Sequence, residues 1–122
     1  MPKTRRDRDY LADIADSLER ITVYTRGLTY NRFMRDRKTQ DAVVRNLEVI
    51  GEASKKVGSN FKRQHPDVPW KEMAGLRDRL IHDYFGINYE IVWNIAATEL
   101  PGLLGGFREI LAGDTESSQG QV

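Results

Sequence analysis

Apolar residues recur every three or four positions in the first part of the chain, which is the spacing of one face of an α-helix. Such a stripe runs through residues 5–26, with charged residues between its members. The members of the stripe are Leu11, Ile14, Leu18 and Ile21. The pattern therefore predicts a first amphipathic helix, and Gly27 is expected to end it.

A second stripe predicts a long helix over residues 39–58, with Thr39 as its capping residue. The buried positions of this helix are expected to be Val43, Leu47, Ile50 and Val57. Gly51 lies inside the helix, where glycine costs about 1 kcal/mol relative to alanine. A glycine at that position indicates that another backbone passes close by.

Between these helices, residues 29–38 mix the aromatic residues Tyr30 and Phe33 with cations. The cations are Arg32, Arg35, Arg37 and Lys38. Two interpretations remain open. The segment forms a short connecting helix that packs its aromatic residues into the core, or it binds single-stranded RNA through stacking and charge.

The second half of the chain carries further predicted helices. After a loop over residues 61–69, the position of Pro69 favours a helix that starts at residue 69 or 70 and ends at Gly86. The apolar stripe of this helix is Trp70, Met73, Leu76 and Leu80. Asn88 is expected to cap the next helix, and Pro101 is expected to force a bend after it.

The length and composition of the chain limit its fold class. A chain of 122 residues is the size of one domain with a single core. Few prolines and many good helix formers predict an all-α fold. We expect a folded domain over residues 1–112 and a disordered C-terminal tail over residues 113–122, because the tail is polar and small.

Composition also excludes several kinds of site. The chain has no cysteine, which rules out disulfides, thiolate metal sites and cysteine nucleophiles. His65 has no further ligands at a recognised spacing, so we expect it to be structural and expect no metal or other cofactor. The start of the chain lacks an apolar signal core, and residues 91–104 are too few to cross a bilayer. These features predict a cytoplasmic protein without a membrane segment.

The net charge of +1 conceals an uneven distribution along the chain. Residues 1–82 carry 18 Lys and Arg against 12 Asp and Glu, which gives +6. Residues 83–122 carry 1 against 6, which gives −5. The basic part could steer a phosphodiester towards chemistry located there, or its charges could simply face water.

The candidate chemistry lies in the motif segment, residues 77–84, which contains Arg77, Asp78, His82 and Tyr84. If the segment is helical, Arg77 and Tyr84 share a face, and Asp78 can orient the ring of His82 one turn away. His82 would then lie about 140° from Arg77. A second copy of the chain, or unwinding before Gly86, would be needed to bring them together.

The residue types in the motif segment suit RNA cleavage without a metal. An imidazole has a reference pKa of about 6.5 and can take the proton of a ribose 2′-hydroxyl, while the guanidinium of Arg77 stabilises charge on the phosphate. Such a reaction leaves a 2′,3′-cyclic phosphate. The alternative is a ladder of salt bridges among Arg77, Asp78 and His82. Glu52 either contacts Arg77 across the bundle or is exposed.

The motif segment resembles the HEPN ribonucleases, and specifically the HepT toxins (the DUF86 group), in its spacing of Arg, four residues, His, one residue and Tyr. The similarity continues through ordered blocks over most of residues 5–110. These blocks are residues 39–53, 65–70, 75–85 and 87–93. The family often has asparagine where this chain has Asp78, which can only accept hydrogen bonds when ionised.

The resemblance implies an all-α, HEPN-like bundle of four to five helices that forms a homodimer. It implies a toxin ribonuclease with Arg77 and His82 as catalytic residues, supported by Asp78. It further implies an antitoxin partner, a nucleotidyltransferase of the MNT type, that silences the toxin by attaching AMP to Tyr84, in a dimer or a larger assembly. The alternatives are a noncatalytic helical adaptor or substrate-binding partner of a minimal nucleotidyltransferase, and a purely structural bundle.

Overall fold

The computed structural model describes residues 5–81 and 86–120, with side chains described up to residue 113. These residues form α-helices, one π-helical turn and one isolated β-bridge, which confirms the all-α prediction. The helices are α1 (Asp7–Thr25), α2 (Tyr30–Met34), α3 (Arg37–Lys56), α4 (Ser59–Gln64), α5 (Trp70–Ala74), α6 (Leu76–Leu80), α7 (Tyr89–Asn94) and α8 (Leu103–Gly120). The π-helical turn is Ile95–Glu99.

The core lies where α1 packs along α3, with α8 on the other side of α1. Both predicted apolar stripes are buried, which confirms the two long helices. The buried stripe residues are Leu11, Ile14, Leu18, Ile21, Val43, Leu47, Ile50 and Val57. Gly27 follows α1 with a φ of 75°, a left-handed conformation that glycine adopts without strain. Trp70 of α5 meets Phe107 of α8 edge to face, with ring centroids 5.9 Å apart, and so joins the two ends of the core.

The cap of α3 differs from the prediction. The capping residue is Asp36, and Thr39 lies in the first turn, where it donates to the Asp36 carboxylate from its backbone nitrogen (3.0 Å) and its hydroxyl (2.6 Å). These hydrogen bonds lower the pKa of Asp36. The prediction of Thr39 was wrong because an aspartate three residues earlier is an equally good cap and begins the helix sooner.

Gly51 confirms the predicted close approach of another backbone. A Cβ atom at Gly51 would lie 3.4 Å from the carbonyl oxygen of Met73 in α5. The missing side chain therefore lets α5 lie directly against α3. This contact fixes the position of α6, which follows α5 after Gly75.

The single helix predicted from residue 69 or 70 to Gly86 is wrong at its C-terminal end. Gly75 divides it into α5 and α6, and α6 ends at Leu80 because Ile81 is extended, with φ −91° and ψ 129°. A regular helix therefore does not connect Asp78 with residue 82, nor Arg77 with residue 84. The predicted stacking of Asp78 under His82 and the predicted shared face of Arg77 and Tyr84 involve residues 82 and 84, which lie outside the described residues.

After α6 the chain reverses and pairs with itself. Ile81 forms an antiparallel bridge with Ile87, and the backbone nitrogen of Asn88 donates to the carbonyl of Leu80 at 2.8 Å. Gly86 has a φ of 78°, a value that side chains other than glycine rarely adopt. The predicted stop at Gly86 thus marks a turn of the backbone, six residues beyond the end of α6.

The segment predicted as a loop at residues 61–69 is also partly helical, because α4 reaches Gln64. The backbone nitrogen of Gly58 donates to Asp7 of α1 at 2.9 Å, which anchors the start of α4. Since α4 forms and Gly75 divides the next helix, the described residues contain more helices than the four to five expected.

The C-terminal part begins as predicted. Asn88 caps α7 by accepting from the backbone nitrogens of Glu90 and Ile91. Helix α8 extends to Gly120 and so includes residues for which the sequence analysis predicts disorder. The domain boundary after residue 112 stays a prediction. No helix in the described ranges is long and apolar enough to cross a membrane.

Candidate functional site

Arg77 is exposed on α6 and makes no hydrogen bond or ion pair with any described residue. Asp78, beside it, is exposed and equally unpaired within residues 5–81 and 86–120. Among the described residues, neither Arg77 nor Asp78 forms the salt bridge that the alternative interpretation predicts. Arg77 instead lines a cavity.

This Arg77 cavity has a volume of about 350 Å³ and lies between α1, α3 and the junction of α5 with α6. Its cationic wall consists of Arg5, Arg45, Lys55, Lys56 and Arg77. Arg5 is held by the Asp13 carboxylate at 2.8 Å, and this hydrogen bond raises the pKa of Arg5. The other four cations have no partner among the described residues, so they are available to an anion.

Glu52 lines the same cavity as Arg77 but does not bind it. No hydrogen bond or salt bridge joins the two described side chains, and Glu52 is exposed. Of the two interpretations of Glu52, the structure favours the exposed residue. Arg77 thus keeps its hydrogen-bond donors.

His82 and Tyr84 lie outside the described residues, and their predicted roles stay predictions. Their neighbour Ile81 is described, and it is 49% exposed at the end of α6. Ile81 pairs there with Ile87 through an antiparallel bridge.

Sequence reasoning missed the strongest ion pair near the motif segment, between Arg79 and Glu99. Two guanidinium nitrogens of Arg79 donate to the two carboxylate oxygens of Glu99, at 2.9 and 2.8 Å. These hydrogen bonds raise the pKa of Arg79 and lower the pKa of Glu99. The pair ties α6 to the π-helical turn. No local pattern signals it, because the residues are 20 positions apart.

The aromatic and cationic segment at residues 29–38 forms the predicted connecting helix, α2. Phe33 is fully buried and meets Trp93 with ring centroids 5.2 Å apart. Tyr30 is 39% exposed, and its hydroxyl donates to Glu90 at 3.1 Å. The packing interpretation is thus confirmed for Phe33, whereas Tyr30 stays at the surface.

His65 has structural contacts. Its ring stacks on Phe61 with centroids 4.5 Å apart, and its carbonyl oxygen accepts from the indole nitrogen of Trp70 at 2.9 Å. In the described part of the chain, no three His, Asp or Glu side chains are grouped so that they could hold a metal ion.

The chain is similar to proteins with ribonuclease names. A family model described as Ribonuclease HepT-like matches residues 14–110. A protein of Thermococcus cleftensis named "Probable ribonuclease HepT" is 47% identical over 106 residues, which are 87% of this chain and 96% of that protein.

Two further relatives carry provisional names as RNases. One, from Methanocaldococcus jannaschii, is 46% identical over 121 residues, which are 97% of this chain and 99% of the relative. The other, from Caldanaerobacter subterraneus, is 43% identical over 104 residues, which are 85% of this chain and 93% of the relative. No solved structure matches the chain.

Proposed function

This chain belongs to the HepT-like ribonuclease family, and we propose that it is an endoribonuclease toxin that cleaves RNA without a metal ion. The observation that carries the proposal is the exposed Arg77 on the wall of a cationic cavity, five residues before His82 in the sequence and without a partner among the described residues. A guanidinium suits a phosphate group through its planar fork of donors.

In the proposed reaction, His82 takes the proton from a ribose 2′-hydroxyl, and the 2′-oxygen attacks the adjacent phosphorus. The bond to the 5′-oxygen of the next nucleotide breaks, and that oxygen receives a proton from an imidazolium or from water. Arg77 stabilises the negative charge that develops on the phosphate oxygens. The products are a 2′,3′-cyclic phosphate and a free 5′-hydroxyl.

The proposal includes a homodimer in which the motif segments of two copies face each other. Arg77 lies on α6, which ends at Leu80, and the His82 that acts with it is proposed to come from the second copy. Asp78 is proposed to accept a hydrogen bond from the imidazole and to orient it. Because α6 ends before His82, this contact does not depend on helical spacing.

Cleavage of bulk or transfer RNA in the presence of EDTA tests this function. We expect His82→Ala and Arg77→Ala to reduce cleavage by about 10²- to 10⁴-fold. Arg26→Ala, which removes an exposed arginine that does not line the Arg77 cavity, should cleave like the wild type. Mass spectrometry of the fragments should show 2′,3′-cyclic phosphate ends.

The rival function is a noncatalytic helical adaptor for a nucleotidyltransferase. It predicts that the unmodified wild-type protein leaves RNA intact under the same conditions. If cleavage requires an added divalent metal ion, the protein is still a ribonuclease, but the proposed metal-independent mechanism is wrong.

We further propose that an MNT-type nucleotidyltransferase silences the toxin by attaching AMP to Tyr84. The added phosphate is negative and bulky, so it would compete with RNA for the nearby cations. Protein made together with an MNT-type nucleotidyltransferase should gain one or more AMP units in its intact mass, and should lose ribonuclease activity. Tyr84→Phe should gain no AMP and stay active, and modification of that variant at an equal level would contradict the assignment.

A further inference from the structure

The Arg77 cavity holds more binding groups than the proposed chemistry uses. Arg45, Lys55 and Lys56 line it from α3, and none of them has a partner among the described residues. We propose that this cavity binds one ribonucleotide of the substrate strand, next to the bond that is cut. The inference rests on the proposed function for the identity of the strand, but not for the existence of the site.

The charge of the cavity favours a phosphate. Arg5 and Asp13 neutralise each other through their salt bridge. The remaining lining charges are four cations and the carboxylates of Glu48 and Glu52, which leaves a net charge of +2. A positive cleft with free donors attracts and binds the phosphate groups of a nucleic acid strand.

The unpaired state of the α3 charges is itself informative. Glu52 and Lys56 are four residues apart in the order that favours an ion pair on a helix. No such pair forms within the described structure, and Lys55 and Arg45 are also without a carboxylate. These side chains therefore do not stabilise α3 through intrahelical salt bridges. Their hydrogen-bond donors suit an anionic ligand.

The size and walls of the cavity fit one nucleotide. Its volume of about 350 Å³ lies at the lower end of the range of about 300–1,000 Å³ for small-molecule sites. Gly51 lacks a side chain and Ala53 and Ala74 have small ones, which leaves this space open. Val49 is half-buried and gives the cavity an apolar surface against which a base or ribose can pack. The guanidinium of Arg5 lies over the ring of Tyr10, 4.9 Å from its centroid.

Glu48 distinguishes a nucleotide from a bare phosphate. Its carboxylate is half-buried at the cavity and has no described partner. A carboxylate repels a phosphate, but it accepts hydrogen bonds from a ribose hydroxyl or a base amino group. A cavity lined by both cations and Glu48 can match the acceptors and the donors of a nucleotide together.

Binding of a fluorescent single-stranded RNA to the His82→Ala protein tests the site without cleavage. Adding Lys55→Ala and Lys56→Ala should weaken binding on the order of tenfold. The slope of log K against log salt concentration should become less steep by about 1.4, because each phosphate contact on a single strand contributes about 0.7 to it. The matched control, Lys62→Ala with Lys71→Ala, removes two lysines that do not line the cavity. It should weaken binding much less.

Glu48→Gln separates nucleotide recognition from simple attraction of anions. Loss of a negative charge should strengthen the binding of inorganic polyphosphate, whereas replacing the charged acceptor with the weaker amide oxygen should weaken the binding of RNA. If this variant binds RNA and polyphosphate more tightly to the same degree, or if the two lysine pairs have equal effects, the proposed site is wrong.

The outcomes for the site and for the enzyme can be told apart. If the wild-type protein cuts no RNA but binds it through Lys55 and Lys56, the binding site is supported and the proposed ribonuclease activity is contradicted. In a protein that does cut RNA, the two substitutions should raise KM and leave kcat largely unchanged. If the doubly substituted protein cleaves RNA with an unchanged KM, the ribonuclease activity is supported and the binding site is contradicted.

Discussion

Two arginines that are two positions apart on α6 have opposite surroundings. Arg79 holds both carboxylate oxygens of Glu99, whereas Arg77 has no partner among the described residues. A guanidinium that already binds a carboxylate in this fork geometry cannot offer the same donors to a phosphate. Of the two, Arg77 is the one whose surroundings suit a role in catalysis, and Arg79 has a structural role.

Glu99→Gln should test that structural role through its pH dependence. Both side chains are more than a third exposed, so the loss in unfolding free energy should be only about 0.5–1 kcal/mol at pH 7. The pKa of Glu99 is lowered in the folded state, so its contribution is complete above the unfolded pKa and is lost as the pH falls through the folded pKa.

Urea denaturation of the wild type and of Glu99→Gln at several pH values measures this contribution. The difference between them should be constant above about pH 5 and shrink below about pH 4. Glu109→Gln, a change at an exposed glutamate of α8, should differ from the wild type little at any pH. A difference for Glu99→Gln that persists undiminished in acid would mean that the ion pair is not its cause.

At the same scale, the sequence identifies Arg77 as a candidate but not the ion pair beside it. Arg77 stands out through its local spacing in the motif segment. The pairing of Arg79 with Glu99 depends on the way the π-helical turn packs on α6, which no local pattern records. The half-buried Glu48 was missed for the same reason, because burial of one face of α3 depends on α1 and α5.

At the level of the elements, the long helices were predictable and the end of α6 was not. The stripes of α1 and α3 repeat over about three and four helical turns, so the periodic signal is strong. After Leu80 the sequence shows no glycine or proline until Gly86, which favours continued helix. The backbone bond from Asn88 to Leu80 and the bridge of Ile81 with Ile87 replace helical hydrogen bonds there.

The short helix α4 was also not predictable from the sequence. Helix α4 has only six residues and none of them is buried, so it leaves no apolar stripe in the sequence. Its start is held by Asp7 from α1, a contact between residues 51 positions apart. Tertiary contacts of this kind override weak local propensities.

For the whole molecule, the sequence predicts the all-α class and the family, and both are confirmed. The class follows from composition and helical periodicity, which are properties of the single chain. The homodimer stays a prediction, because an interface between copies depends on surfaces that have no periodic signal.

Mixing two inactive variants tests the proposed dimer. If each site takes Arg77 from one copy and His82 from the other, a dimer of Arg77→Ala with His82→Ala contains one intact site. When equal amounts of the two variants are refolded together, half of the dimers should be mixed. Each mixed dimer has one intact site of two, so about a quarter of the wild-type activity should return. Each variant refolded alone serves as the control. No recovery, in a protein shown by light scattering to be dimeric, would place both groups of a site in one chain.

The π-helical turn of residues 95–99 contains one residue more than an α-helical turn, as the bond from the nitrogen of Leu100 to the carbonyl of Ile95 shows. Loss of a single codon between positions 96 and 98 would let the helix wind regularly. Because the wider turn absorbs the extra residue, the side chains beyond the deletion would keep their directions. The packing of α8 against α1 would therefore survive such a deletion. A one-residue gap at this point in a homologous chain is thus compatible with the same bundle.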